Sequence, residues 1–345
     1  MTELFWSGSY SSDLDGIGDG IGALRRQGDG SLRFLGTVAP FASPSFLIQH
    51  PLRDDLMYAL LEGSTRIQAL RRTDELSFEL LGSQRASGEL PCHGSITPDG
   101  LTLFTASYGN GSLASSPLAA GGEVGPLGAV LTFSGSGPHP DQANARGHTA
   151  LVIDDSTLVN LDLGTDEVRL FAVGPGAELR QLDSLRLPPG SGPRDLLVHR
   201  SGLLLVLTEL SNEIFVIDCS SESSELSIVS SASLADGESL AGSHASGISQ
   251  SVDGGHVYAS TRGADCIVTF AVRDDGRRLE RVTAVSTGGS SPRHHIVDGH
   301  FLYACNQLSN TITSFSLNSR TGVPEAIGAP EPVPSPTFLL RATTF

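Results

Sequence analysis

Residues Gly190–Glu209 read GSGPRDLLVHRSGLLLVLTE, and the fold can be worked out from them. A Gly-Pro turn sets Arg194 directly after the proline. Leu196 to Val198 form one apolar run, His199-Arg200-Ser201-Gly202 a turn, and Leu203 to Leu207 a second run that delivers Glu209. Two short apolar runs joined by a turn make a β-hairpin, which returns its first and last residues to one edge of the sheet. Arg194 and Glu209 are therefore expected to be neighbours, a cation and an anion on an otherwise apolar element.

The same hairpin recurs along the chain. Copies are SPSFLIQHPLRDDLMYALLE (43–62), LPCHGSITPDGLTLFTASY (90–108), GHTALVIDDSTLVNLDL (147–163), HASGISQSVDGGHVYASTR (244–262) and SPRHHIVDGHFLYACNQ (291–307). They begin roughly 45–55 residues apart, close to the period of four-stranded propeller blades. Two more strand-like runs follow a hairpin, as in Asp265 to Val272 and Leu279 to Ser286 around the turn Arg273–Gly276, or Gly20 to Arg26 and Leu32 to Val38 around Gly28-Asp29-Gly30. SPTFLLRATTF (335–345) supplies a first strand, and ELFWSGSY (3–10) the matching second. The expectation is an all-β, seven-bladed β-propeller over residues 1–345 as one domain. Each blade has four antiparallel strands, and the N-terminal strands close the ring. The Gly/Ser/Pro-rich patches near 118–128 and 325–335 read as loops.

Composition narrows the partners. With 22 Arg+Lys against 38 Asp+Glu, a net charge of −16 argues against a phosphate-backbone partner, so no nucleic acid is expected. Every one of those 22 cations is an arginine, which removes lysine Schiff-base chemistry and leaves Arg, His and backbone N–H groups to hold an anion. No apolar run approaches the ~18 residues of a membrane helix, and the N-terminus lacks a signal-like pattern, so the reading is cytoplasmic with no membrane partner. The four cysteines (Cys92, Cys219, Cys266, Cys305) are far apart and read as reduced, mostly buried thiols.

In a propeller the innermost strands line the axial channel. The start of the first strand recurs as Ser45, Cys92, His148, Arg194, Ser246, Arg293 and Thr337. The end of the second recurs as Tyr10, Glu62, Tyr108, Leu163, Glu209, Arg262 and Gln307. Ionisable side chains gathered at these positions mark a functional mouth. By strand alternation His93 points away from the channel, and His294-His295, on opposite faces, cannot share a metal. No acidic cluster beyond the two Glu suggests a metal, and no cofactor motif of substance is present.

The chain also resembles the lactonase family of seven-bladed propellers, which includes bacterial 6-phosphogluconolactonases of the propeller type and fungal carboxy-muconate lactonizing enzymes. The likeness rests on Pro44-Ser45-Phe46-Leu47, Leu90-Pro91-Cys92-His93, Thr97-Pro98-Asp99-Gly100 and Ala106 to Ser112. It continues through Gly192-Pro193-Arg194 with Glu209, Arg262-Gly263, Pro292-Arg293 and Asn306-Gln307. The resemblance implies a catalytic trio matching His148, Arg194 and Glu209, with a further Arg at Arg262. Three positions depart from the family pattern: Arg146 stands where a first His is usual, Asp195 where a His follows the Arg, and Asp141 where an Arg precedes Gln142.

The implied reaction is metal-independent, cofactor-free hydrolysis of a carboxylated or phosphorylated sugar-acid lactone, 6-phosphogluconolactonase-like, at the channel mouth. A small anionic lactone or sugar acid is the expected partner. Glu209 would act as base, His148 as the acid for the leaving oxygen, and Arg194 and Arg262 as oxyanion donors. Arg262 or Arg293 would grip a carboxylate or phosphate, with Tyr10, Glu62, Tyr108 and Gln307 completing the substrate-binding set. A lactonizing isomerase would use the same trio and stays open. A non-enzymatic ligand- or protein-binding propeller is the poorer reading, because aromatic content is 6% with one Trp.

Overall fold

The computed structural model describes residues 3–219, 225–236 and 240–343. They form seven sheets, each of antiparallel strands joined in sequence order from the axis outward. The sheet containing the opening hairpin runs Pro193–Val198, Leu204–Thr208, Glu213–Asp218 and Ser227–Ser233. The hairpin turn is as read: His199 N–H bonds to Leu203 O at 2.9 Å and Gly202 N–H to His199 O at 2.8 Å.

Ring closure follows the expected pattern. The strand Pro336–Arg341 is the innermost of a sheet whose other three strands are Leu4–Ser9, Gly20–Arg26 and Leu32–Pro40. The patches read as loops are partly strand. In the last blade the outer strand is broken into Pro324–Ala326 and Glu331–Pro332, both pairing with Thr311–Leu317. Near 118–128 a single bridge joins Leu118 to Val124. Prolines there interrupt the ladder but do not abolish it, as expected at a sheet edge.

The cores lie between blades. The described buried apolar residues fall into seven clusters, each drawing on two adjacent blades. This explains the unbroken run LLLVL: Leu205 and Leu207 pack toward the following blade, while Leu204 and Val206 pack toward the preceding one. A strand buried on both faces needs apolar residues at every position.

The innermost strands share one irregularity. In all seven blades the pairing with the second strand skips one residue near the start, a β-bulge. The skipped residues are Ser45, Cys92, His148, Arg194, Ser246, Arg293 and Thr337. Five of them follow a proline (Pro44, Pro91, Pro193, Pro292, Pro336), which fits a strand start because it has no N–H to leave unpaired. Before four of those prolines stands a non-glycine residue with positive φ: Ser43 (42°), Leu90 (50°), Ser291 (57°) and Ser335 (39°). Residues preceding proline ordinarily avoid helical backbone, so this is local strain at the channel mouth.

That twisted residue's carbonyl accepts the N–H of the residue ending the second strand. The bonds run from Glu62 to Ser43, Tyr108 to Leu90, Glu209 to Gly192, Gln307 to Ser291 and Tyr10 to Ser335, all at 2.8–3.1 Å. The two rings of candidate residues are thus tied together by backbone.

Closure depends on Leu339, which is 1% exposed and packs with Phe5 and Tyr303 across the first and last blades. Leu339→Ala is expected to cost about 2–5 kcal/mol in urea unfolding. The same change at Leu308, 65% exposed, should stay within about 0.5 kcal/mol.

Candidate functional site

A bulge leaves its extra residue outside the ladder and re-aims its side chain. All seven bulge residues line one axial cavity of about 240 Å³. The bulged backbones are held by the neighbouring blades. Thr337 Oγ1 donates to Ser45 O at 3.0 Å, Thr149 Oγ1 to Arg194 O at 2.6 Å, Arg194 Nε to Ser246 O at 2.9 Å, and Ser246 Oγ to Pro292 O at 2.5 Å.

The bulge also corrects the alternation argument for His93. Two successive residues reach the channel, so Phe46, His93, Asp195, His294 and Phe338 line the same cavity one level beyond the ring. His295 turns away and bonds to Ser260 Oγ at 3.1 Å. These second-level residues were missed from sequence; the repeated Pro-x start of each hairpin was the available signal.

Glu209 is the electrostatic centre. Its carboxylate pairs with Arg194, with Arg262 at 2.6 Å, and lies 3.8 Å from His244 Nδ1. Arg194 and Glu209 are neighbours as the hairpin predicts, while Arg262 comes from the next blade. Burial alone would raise the carboxyl pKa; the guanidiniums of Arg194 and Arg262 outweigh it and hold the group far below its ordinary value. The paired guanidiniums thus keep Glu209 ionised. Arg262 is lowered to about 10 by burial and the nearby Arg194, and stays charged at neutral pH.

His148 is 8% exposed and sits edge-on to Tyr108 with centroids 6.0 Å apart. Its buried Nδ1 has no hydrogen-bond partner among the described residues. Burial, and then the charge of Arg194, press its pKa well below 6.5 despite the opposing pull of Glu209. Its resting form is the neutral imidazole, not the acid expected from sequence.

Tyr10 Oη donates to both carboxylate oxygens of Glu62 at 3.0 Å, and the Arg293 guanidinium lies 4.7 Å over the Tyr10 ring. No ion pair or hydrogen bond engages that guanidinium among the described residues, and it lines the cavity. Burial works against its charge, but Tyr10, Glu62 and Glu209 sustain it.

The remaining candidates lie farther out. Tyr108 carries the Arg146 guanidinium over its ring at 4.6 Å. Of the candidates at the ends of the second strands only Glu62 lines the cavity; Tyr10, Tyr108, Glu209, Arg262 and the half-buried Gln307 are not lining residues. Gln142 is structural, donating to Leu163 O and Asp166 Oδ1. Cys92, on the ring, donates toward Gly147 and His148 carbonyls, and burial pushes its thiol up to about 12, which removes it as a nucleophile. Among the described residues, no group of three or more His, Cys, Asp or Glu is arranged for a metal, and no helix is long and apolar enough to cross a membrane.

Five histidines set an acid limit on the fold, His50 among them, lowered chiefly by burial. Burial lowers His93 and His295 to about 4, and His148 and His294 well below 6.5. Between these values and 6.5 the unfolded chain binds protons that the folded chain refuses, so stability falls as pH falls. Asp195 opposes this: raised by burial to about 6, it takes up a proton more readily in the folded state and favours the fold toward acid. One group against five leaves a net loss. The urea midpoint is expected to hold at pH 7–8 and to drop steeply from 6.5 toward 4. A midpoint unchanged at pH 5 would contradict the burial of these rings.

The comparisons with known proteins place the fold in a family. A family model described as "Lactonase, 7-bladed beta-propeller" matches residues 5–341. The 6-phosphogluconolactonase of Bacillus subtilis is 29% identical over 279 residues, covering 79% of each chain. The solved structure of the periplasmic gluconolactonase of Pseudomonas aeruginosa superposes with a TM-score of 0.89 at 26% identity, covering 99% of both chains. A Lactobacillus plantarum protein superposes at 0.92 with 24% identity, also over 99% of both, a likeness of fold. Through this match over nearly its whole length, the chain belongs to the lactonase family of seven-bladed β-propellers.

Proposed function

We propose that the protein hydrolyses a sugar-acid lactone in the axial cavity, with His148, Arg194 and Glu209 as its catalytic groups. The observation that carries this reading is the meeting of a neutral, buried imidazole with an Arg–Glu–Arg cluster at one end of a channel. The names of the Bacillus and Pseudomonas relatives, a 6-phosphogluconolactonase and a gluconolactonase, support the same substrate class.

In this reading His148 accepts a proton from water as its oxygen adds to the lactone carbonyl carbon. Arg194 and Arg262 face the carbonyl oxygen and stabilise the negative charge it acquires. The imidazolium then returns the proton to the ring oxygen as the acyl C–O bond breaks, leaving a hydroxy acid. Glu209 stays ionised throughout. It fixes both guanidiniums and stabilises the imidazolium when it forms. Arg293, which stacks on Tyr10 but has no ion pair or hydrogen bond among the described residues, binds the polar or anionic end of the substrate.

His148→Asn is expected to lower kcat by roughly 10²–10⁴-fold with the fold intact by circular dichroism. Glu209→Gln, which releases both guanidiniums, should fall in a similar range. Because His148 is held well below 6.5, kcat/KM should stay level down to about pH 6. An acid limb centred near 7 in proton-release assays would remove His148 as the base.

A further inference from the structure

The level beyond the ring bears on which lactone enters. Four rings from four consecutive blades form an arc along one wall: His93 against Phe46 at 4.5 Å between centroids, Phe46 against Phe338 at 4.2 Å, and Phe338 against His294 at 4.2 Å. All four line the cavity, as does Asp195, whose carboxylate accepts the N–H groups of Leu196 and Ile248. The two imidazoles are neutral, since burial lowers His93 to about 4 and His294 well below 6.5. Leu339 N–H donates to His294 Nδ1 at 3.2 Å, so that ring carries its hydrogen on Nε2. This wall offers ring faces and one neutral donor, and it has no cation.

Charge elsewhere in the site is already balanced. Of the three guanidiniums, Arg194 and Arg262 are committed to Glu209, and Arg293 lies between Tyr10 and Glu62. Their three positive charges face Glu62, Glu209 and Asp195. A phosphate monoester carries close to two charges at neutral pH. It would meet one uncommitted guanidinium and a carboxylate, in a chain of net charge −16. Each uncompensated charge in a partly enclosed cavity is costly.

We infer, resting on the lactonase reading above, that the preferred substrate is an unphosphorylated lactone carrying at most one negative charge. Its C–H-rich ring face lies on the His93–Phe46–Phe338–His294 arc, and its polar end lies at Arg293. Asp195, standing where the family usually has a histidine, is then a specificity residue that repels a phosphorylated chain. It touches no reacting atom.

The test uses the full chain and two independent readouts. Proton release is followed with glucono-δ-lactone, glucaro-1,4-lactone and 6-phosphoglucono-δ-lactone. The expected result is a kcat/KM for one of the first two at least tenfold above the phosphorylated lactone. Equal or better turnover of the phosphorylated lactone overturns the inference while leaving lactone hydrolysis standing. Calorimetric binding of gluconate and 6-phosphogluconate measures the same preference without turnover. Gluconate is expected to bind more tightly, and tighter binding of 6-phosphogluconate, or no binding of either, overturns the inference. If no lactone is hydrolysed but gluconate binds preferentially, the reaction assignment fails and the ligand assignment survives. Asp195→Asn should narrow the preference by several-fold, and Phe338→Leu, which keeps apolar volume but removes the ring face, should weaken gluconate binding about tenfold. A preference unmoved by Asp195→Asn removes that residue as its source.

Discussion

The site depends on one residue in each innermost strand being left out of the ladder. A regular strand would alternate its side chains between the two blade interfaces and leave the channel with backbone alone. The bulge breaks that alternation seven times, and neighbouring blades hold the distorted backbone through bonds such as Thr149 to Arg194 and Ser246 to Pro292. Strain at Ser43, Leu90, Ser291 and Ser335 accompanies it. Seven inter-blade apolar cores supply the stability against which that strain is tolerated.

Around this frame, charge is arranged by blade order. Glu209 receives Arg194 from its own hairpin and Arg262 from the next blade, so one carboxylate joins two blades at the channel. The two guanidiniums outweigh the cost of burying that carboxylate, while burial and then the charge of Arg194 keep His148 neutral. The acid–base character of the site follows from this cluster more than from any single residue's intrinsic chemistry.

Much of this was legible in the sequence. The hairpin repeat and its spacing led to the blade count, and SPTFLLR with ELFWSGSY to the closing sheet. Counting from strand ends found all seven bulge residues, since each hairpin carries the same start. Alternation then failed at His93, because a bulge resets the period and is not visible in composition. The joining of Arg262 to Glu209 is harder to read, because it crosses from one blade to the next and no local pattern encodes that distance. Gln307 shows the converse limit, in that an equivalent strand position fixes the backbone but does not bring the side chain to the cavity.

The closing blade couples the two ends of the chain. Leu4–Ser9 finds its inner neighbour only in Pro336–Arg341, so until that late segment emerges from the ribosome the first blade presents a bare hydrogen-bonding edge. The nascent chain must therefore carry a sticky margin through most of its own synthesis.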